Sequence, residues 1–153
     1  MAWSASKVFA KTVLDGLNGT AITLGSDSHK VALYNNSITP DNTVATAVLT
    51  EYNGSASQWV TANEVSQAGQ WAAGGVALGT VTFAQASNVD TFGAANTASG
   101  SAATLAAVYG CLVYDTTVAS RGVCYNYFGG SNGVTSGTFT VVWNASGIAT
   151  FTA

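Results

Sequence analysis

The chain has 153 residues, enough for one domain with a sizeable core; 48% are hydrophobic and only 7% charged, against roughly 25% charged in ordinary soluble domains. Its net charge of −3 and its scattered basic residues, Lys7, Lys11, Lys30 and Arg121, argue against nucleic-acid binding, because neutralising phosphates takes clustered cations. A surface made of Thr, Ser, Asn, Gly and Ala is a poor coat for a free protein and suits one packed against other subunits.

Gly, Asn and Thr interrupt every apolar run, so no membrane span is predicted. The start, Met1-Ala2-Trp3-Ser4-Ala5-Ser6-Lys7, lacks a basic stretch followed by an apolar one. No secretory signal is predicted, and the chain is expected to mature in the reducing cytosol where it is made.

The spacing of Val8, Phe9, Val13, Leu14 and Leu17 predicts a helix over residues 4–17, capped by Ser4 or Ser6 and ended by Gly16 and Gly19. Its apolar face either plugs one end of the domain or forms an arm that docks on a neighbour. From residue 20 the period becomes two. Ile22, Leu24, Val31, Leu33 and residues 44–49 are predicted to carry the first strands, with Asp27-Ser28 and Thr39-Pro40-Asp41-Asn42 as turns. Residues 53–75, rich in Gly, Ser, Ala, Asn and Gln, read as a surface excursion carrying Trp59 and Trp71.

Further strands are expected over 76–78, 80–83, 105–114, 122–128, 138–143 and 148–152. Between them, residues 92–104 have the composition of a mobile loop, and Gly129-Gly130-Ser131-Asn132-Gly133 that of a hairpin turn. Many short strands with one helix predict a mainly β fold: a single antiparallel β-sandwich of jelly-roll or immunoglobulin-like order over residues 1–153. No linker or repeat divides it.

If residues 115–120 form a turn, Tyr114 pairs with Arg121 and the same register sets Cys111 opposite Cys124. Directly opposed Cβ atoms lie roughly 4.5–5.5 Å apart, close to what a disulfide needs. The pair is therefore either a disulfide or two buried thiols, and a reducing cytosol favours thiols. Two cysteines alone do not make a metal site, and His29 lies in a different stretch.

Catalysis needs a nucleophile with a base, or paired acids. His29, between Ser28 and Lys30, reads as a solvated surface residue, and an enzyme acting on cell walls would need it beside a carboxylate in a pocket. Asp15, Asp27, Asp41, Glu51, Glu64, Asp90 and Asp115 fall singly, mostly at turns and helix ends. No Gly-rich stretch has the Lys-Ser/Thr and helix of a phosphate cradle, and no loop gathers the acids calcium wants. Neither enzyme activity nor a cofactor or metal is expected. The aromatics remain: Trp3, Phe9, Trp59 and Trp71 are the candidate interface residues, and Trp143, in a regular strand, is expected in the core. Exposed Trp59 or Trp71 would also suit glycan stacking.

Taken in order, Lys30-Val31-Ala32-Leu33-Tyr34, Ile38-Thr39-Pro40-Asp41, Ala62-Asn63-Glu64-Val65-Ser66, Ala73-Gly74-Gly75, residues 108–114 and residues 137–148 form a layout over nearly the whole chain. In order and spacing it resembles a family of small tailed-phage virion proteins; Gln70-Trp71 departs from that pattern, as do the extra Cys111 and Cys124. The resemblance implies a head decoration or minor capsid protein on the outside of the capsid. Its partners would be the major capsid protein and other copies of itself, as trimers or clusters at local symmetry axes. Tail or head-fibre components, some of which bind host glycans, share these traits.

Overall fold

A computed structural model of the protein describes residues 3–19 and 22–152; Met1, Ala2, Thr20, Ala21 and Ala153 lie outside it. The chain runs β1 (Lys7–Val8), α1 (Ala10–Leu17), β2 (His29–Tyr34), β3 (Val76–Ala77), β4 (Thr82–Ala86), β5 (Val89–Gly93), β6 (Thr97–Ala98), β7 (Ala103–Asp115), β8 (Arg121–Gly137), β9 (Thr140–Val141) and β10 (Ala149–Thr152). Short 3-10 turns at Ala47–Thr50 and Thr61–Asn63 punctuate the path from β2 to β3.

The fold is mainly β with antiparallel pairing and one α-helix. A five-stranded sheet has the order β1-β8-β7-β2-β3, a three-stranded sheet β10-β5-β4, and β6 and β9 form a ribbon. The large sheet is covered on both sides, which is why residues 30–34 and 108–114 read as nearly continuous apolar runs. On one face, Val31, Leu33, Cys111 and Val113 pack with Phe92 and Ala149 of the small sheet and with Phe139, Val141 and Trp71. On the other, Ala32, Tyr34, Leu112, Tyr114 and Tyr125 pack with Trp3, Phe9, Ile38 and Trp59. The segment over 35–75 thus supplies core residues on both faces, Ile38 and Trp59 in this second layer and Trp71 in the first.

Two glycines make room for this second layer. A Cβ at Gly110 would run into the Trp3 ring and the Asn126 carbonyl oxygen, and one at Gly122 into the Phe9 ring and the Thr50 carbonyl oxygen. The large rings lie directly on the strands because these positions carry no side chain.

Several expected elements differ. The helix begins at Ala10, not at residue 4: Lys7 and Val8 pair with Tyr125 and Cys124 of β8, and the Ser6 hydroxyl accepts the Tyr127 N–H at 3.0 Å in place of capping a helix. Pairing with a sheet edge outcompetes local helix propensity there. Gly19, at φ 67°, takes the left-handed turn beyond the helix end as expected. Residues 44–49 form no strand and enter the turn at Ala47–Thr50. The small-residue stretch 92–104 is ordered structure: Phe92 is in β5, Thr97 in β6, and Phe92, Thr97 and Ala103 are buried. Residues 129–133 are not a hairpin turn but part of β8, where Gly129 at φ 80° and Gly130 at φ 155° carry the irregular stretch of the long β7–β8 pair.

Candidate functional site

The outward surface of α1 and the inner face of the small sheet form a cleft of about 530 Å³. Its geometry starts with how α1 sits. Thr12 and Asp15, three residues apart, share the side turned to the protein. The Thr12 hydroxyl donates to the Gly122 carbonyl at 2.5 Å, and Asp15 accepts Lys11 Nζ and Arg121 Nη1, both at 2.6 Å. Arg121 also reaches Glu51 at 3.5 Å. Burial alone would raise the Asp15 carboxyl; the Lys11 and Arg121 cations outweigh it and hold it below its ordinary value.

The helix therefore docks through its polar side and turns its apolar side out. Val13 is 37%, Leu14 50% and Leu17 82% exposed. Of the five apolar residues expected to face inward, only Phe9, which precedes the helix, is fully buried. The polar stripe wins because its partners, Gly122 and Arg121, belong to a rigid hairpin end already packed in the core, and a buried carboxylate cannot be left unpaired.

The opposite wall is the small sheet. Phe92 faces the core, and Asp90, two residues earlier on β5, shares its face. Across the ladder Asp90 pairs with Phe151 of β10, and Phe92 with Phe83 of β4, so Phe83, Asp90 and Phe151 lie together beyond the covered part of the sheet. The rings of Phe83 and Phe151 meet edge to face, 6.1 Å apart at 80°. Ile22 and Leu24 also line the cleft. The half-buried Asp90 has no hydrogen bond or ion pair among the described residues.

The interface candidates read from sequence are elsewhere. Trp59 and Trp71 are fully buried, Phe9 likewise, and Trp3 is 3% exposed. Trp59 sits among Trp3, Phe9, Tyr34 and Tyr125, with ring centres 5.1–6.0 Å away. Trp71 packs against Phe139 at 6.1 Å. All four build the core and present no contact surface. Trp143 is partly buried against the first core cluster.

His29 is also not a surface residue. It is 2% exposed at the start of β2, its ring 5.1 Å from Phe92 and its Nε2 3.8 Å from Asp115 Oδ2. Neither ring nitrogen has a well-formed hydrogen bond. Asp115 Oδ1 accepts the Thr117 and Val118 N–H groups at 2.6 and 3.1 Å, which shapes the β7–β8 turn. Burial lowers the His29 pKa; burial, with Asp27 beside it, raises the Asp115 carboxyl to about 6. A histidine and a carboxylate do meet, but both side chains are closed to solvent and neither lines the cleft.

A half-buried acid, Glu64, anchors the 35–75 segment. Glu64 accepts the Tyr52 hydroxyl at 2.9 Å and the Gly74 N–H at 3.0 Å; Tyr52 stacks on Tyr114 at 5.0 Å and 11°, and the Tyr114 hydroxyl donates to the Gly74 carbonyl at 2.5 Å. Burial raises the Glu64 carboxyl, against the Gly74 and Tyr52 hydrogen bonds. This network clamps loop to sheet.

Cys111 and Cys124 are free thiols, both buried. The expected opposition fails twice over: Arg121 pairs with Asp115, one place from the expected register, and a bulge between Val113 and Tyr114 adds another. Burial pushes the Cys124 thiol up to about 12 and Cys111 well above its ordinary value.

Among the described residues, no group of three or more His, Cys, Asp or Glu is placed to hold a metal ion, and no helix is long and apolar enough to cross a membrane. Sequence reading missed the cleft. The helix stripe was visible, but its outward direction depends on Gly122 and Arg121, more than a hundred residues away, and nothing local marks Phe83, Asp90 and Phe151 as neighbours. No protein-family model, no curated protein and no solved structure matches the chain. The resemblance to phage virion proteins rests on the quoted residues alone.

Proposed function

We propose that this protein is a non-catalytic structural component of a tailed-phage virion, a head decoration or minor capsid protein that binds and stabilises the assembled shell. The observation that carries this reading is the outward apolar side of α1 over an open apolar cleft. Leaving Leu14 and Leu17 in water gains nothing for the isolated fold, and an uncovered apolar patch beside a cleft is the mark of a surface that another protein covers. The scarcity of charge over the whole chain agrees with a life packed against other subunits. A glycan-binding fibre component is expected to stack sugars on Trp59 or Trp71, and both are buried.

Quantitative mass spectrometry of purified virions tests the proposal. A copy number in simple integer ratio to the major capsid protein is expected. A few copies per particle would overturn it and move the protein to the tail or a fibre.

A further inference from the structure

We infer that the cleft between α1 and the β10-β5-β4 sheet receives a short segment of the shell subunit that presents a Lys or Arg between apolar side chains. This rests on the assembly reading above and specifies its contact.

The chemistry of the cleft sets what fits. Leu17, Ile22, Leu24, Phe83 and Phe151 give it apolar walls, and about 530 Å³ suits a few side chains and not a whole domain. Within those walls stands Asp90, half-buried and without a hydrogen bond or ion pair among the described residues. A wholly apolar occupant would strip the remaining water from this carboxylate and give nothing back. An anionic occupant would be repelled. A cation brought in on apolar flanks replaces the lost water with a charge-assisted hydrogen bond while its neighbours cover the phenyl rings.

A second copy of this chain does not supply such a segment. Lys7 and Lys30 lie within paired strands, Lys7 beside Tyr125 and Lys30 between Tyr114 and Ala77. Lys11 and Arg121 are both committed to Asp15 on the far side of α1. Two of the four cations are thus paired to Asp15, and the other two are fixed in sheet strands and carried on no protruding segment. With a net charge of −3 the chain is complementary to a basic partner and not to itself.

The test is co-sedimentation of the purified full chain with heads assembled without it, titrated at low and high salt. Asp90→Asn keeps shape and removes charge. It is expected to weaken binding roughly tenfold at low salt and to lose most of the salt dependence. Asp90→Lys is expected to bind more weakly still, and Leu17→Ser to weaken binding at both salt concentrations. Circular dichroism melts identify any variant that fails to fold, in which case Asp90→Asn carries the test. If all three variants bind like the unmodified chain, the cleft inference is overturned and the decoration reading stands. If the unmodified chain does not bind heads, both fall. A dimer seen by sedimentation equilibrium without heads, and lost in Leu17→Ser, would assign the cleft to a second copy and overturn the inference.

Discussion

Val113 lies directly across the β7–β8 ladder from Cys124, and two residues along the same strand Cys111 faces Asn126. The two thiols are diagonal neighbours on one face, joined through the Asn126 amide, which approaches Cys124 Sγ at 3.7 Å. Diagonal Cα atoms in such a ladder are about 7–8 Å apart, outside disulfide reach without backbone movement. Burial of both thiols also suppresses the thiolate that would attack.

Both cysteines are therefore expected to stay reduced in air. An aromatic disulfide reagent should label neither in the native protein and both once denaturant is added. A non-reducing digest showing the Cys111 and Cys124 peptides joined would contradict this.

Trp59 and Leu17 should behave as opposites. Trp59 is enclosed by four aromatic rings, so Trp59→Ala is expected to cost about 3–5 kcal/mol in chemical denaturation. Leu17 is 82% exposed, so Leu17→Ser should change stability by no more than about 0.5 kcal/mol. A large loss for Leu17→Ser would mean that the outward side of α1 supports the fold itself.

At Gly110 the Trp3 ring occupies the space a Cβ would need. Gly110→Ala should cost about 1–3 kcal/mol by overpacking and loosen the hydrogen bond from Trp3 Nε1 to the Asn35 carbonyl, now 2.8 Å. The readouts are the denaturation midpoint and a red shift in tryptophan emission. An unchanged midpoint would show that both the Trp3 ring and the strand at Asn126 can shift to admit the methyl group.

The pH dependence has two opposed parts. Asp115 has its folded pKa raised from 3.8 to about 6, so the native state holds a proton that the unfolded chain has released. Its contribution to stability is complete below about 4 and is lost as pH rises through about 6. His29 has a lowered folded pKa, so its contribution is present above its ordinary 6.5 and is lost as pH falls. Asp115→Asn keeps an oxygen for the Thr117 and Val118 N–H groups and removes only the titration. The Tm of this variant minus that of the unmodified chain should grow as pH rises from about 4 to 7. A difference that stays flat would mean the carboxyl titrates normally in the folded protein.

Much of the fold was legible along the chain, and the reasons it was partly illegible are specific. The apolar runs in β2 and β7, the turn at Asp27-Ser28, and the helix end at Gly19 follow from local chemistry, and each lies where the residues put it. Residues 92–104 and 129–133 have loop-like compositions, yet pairing partners elsewhere draw 92–93, 97–98, 103–104 and all of 129–133 into strands. Trp59 and Trp71 look like surface candidates because their cover comes from distant strands: Trp59 is covered by the second face of the large sheet, and Trp71 by the first face and Phe139.

By itself the sequence determined the mainly β class, the one helix with its apolar stripe, the scarcity of charge and the scatter of cations, because these depend on composition and on periodicity over a few residues. Only the tertiary structure decided which way that stripe points, that His29 and Asp115 are buried together, that the cysteines miss each other, and that Asp90 stands in an apolar cleft. Each of these joins residues from separate strands or from a strand and a helix. Such contacts are set by ladder register, where a single bulge or a turn shifted by one place changes every partner that follows.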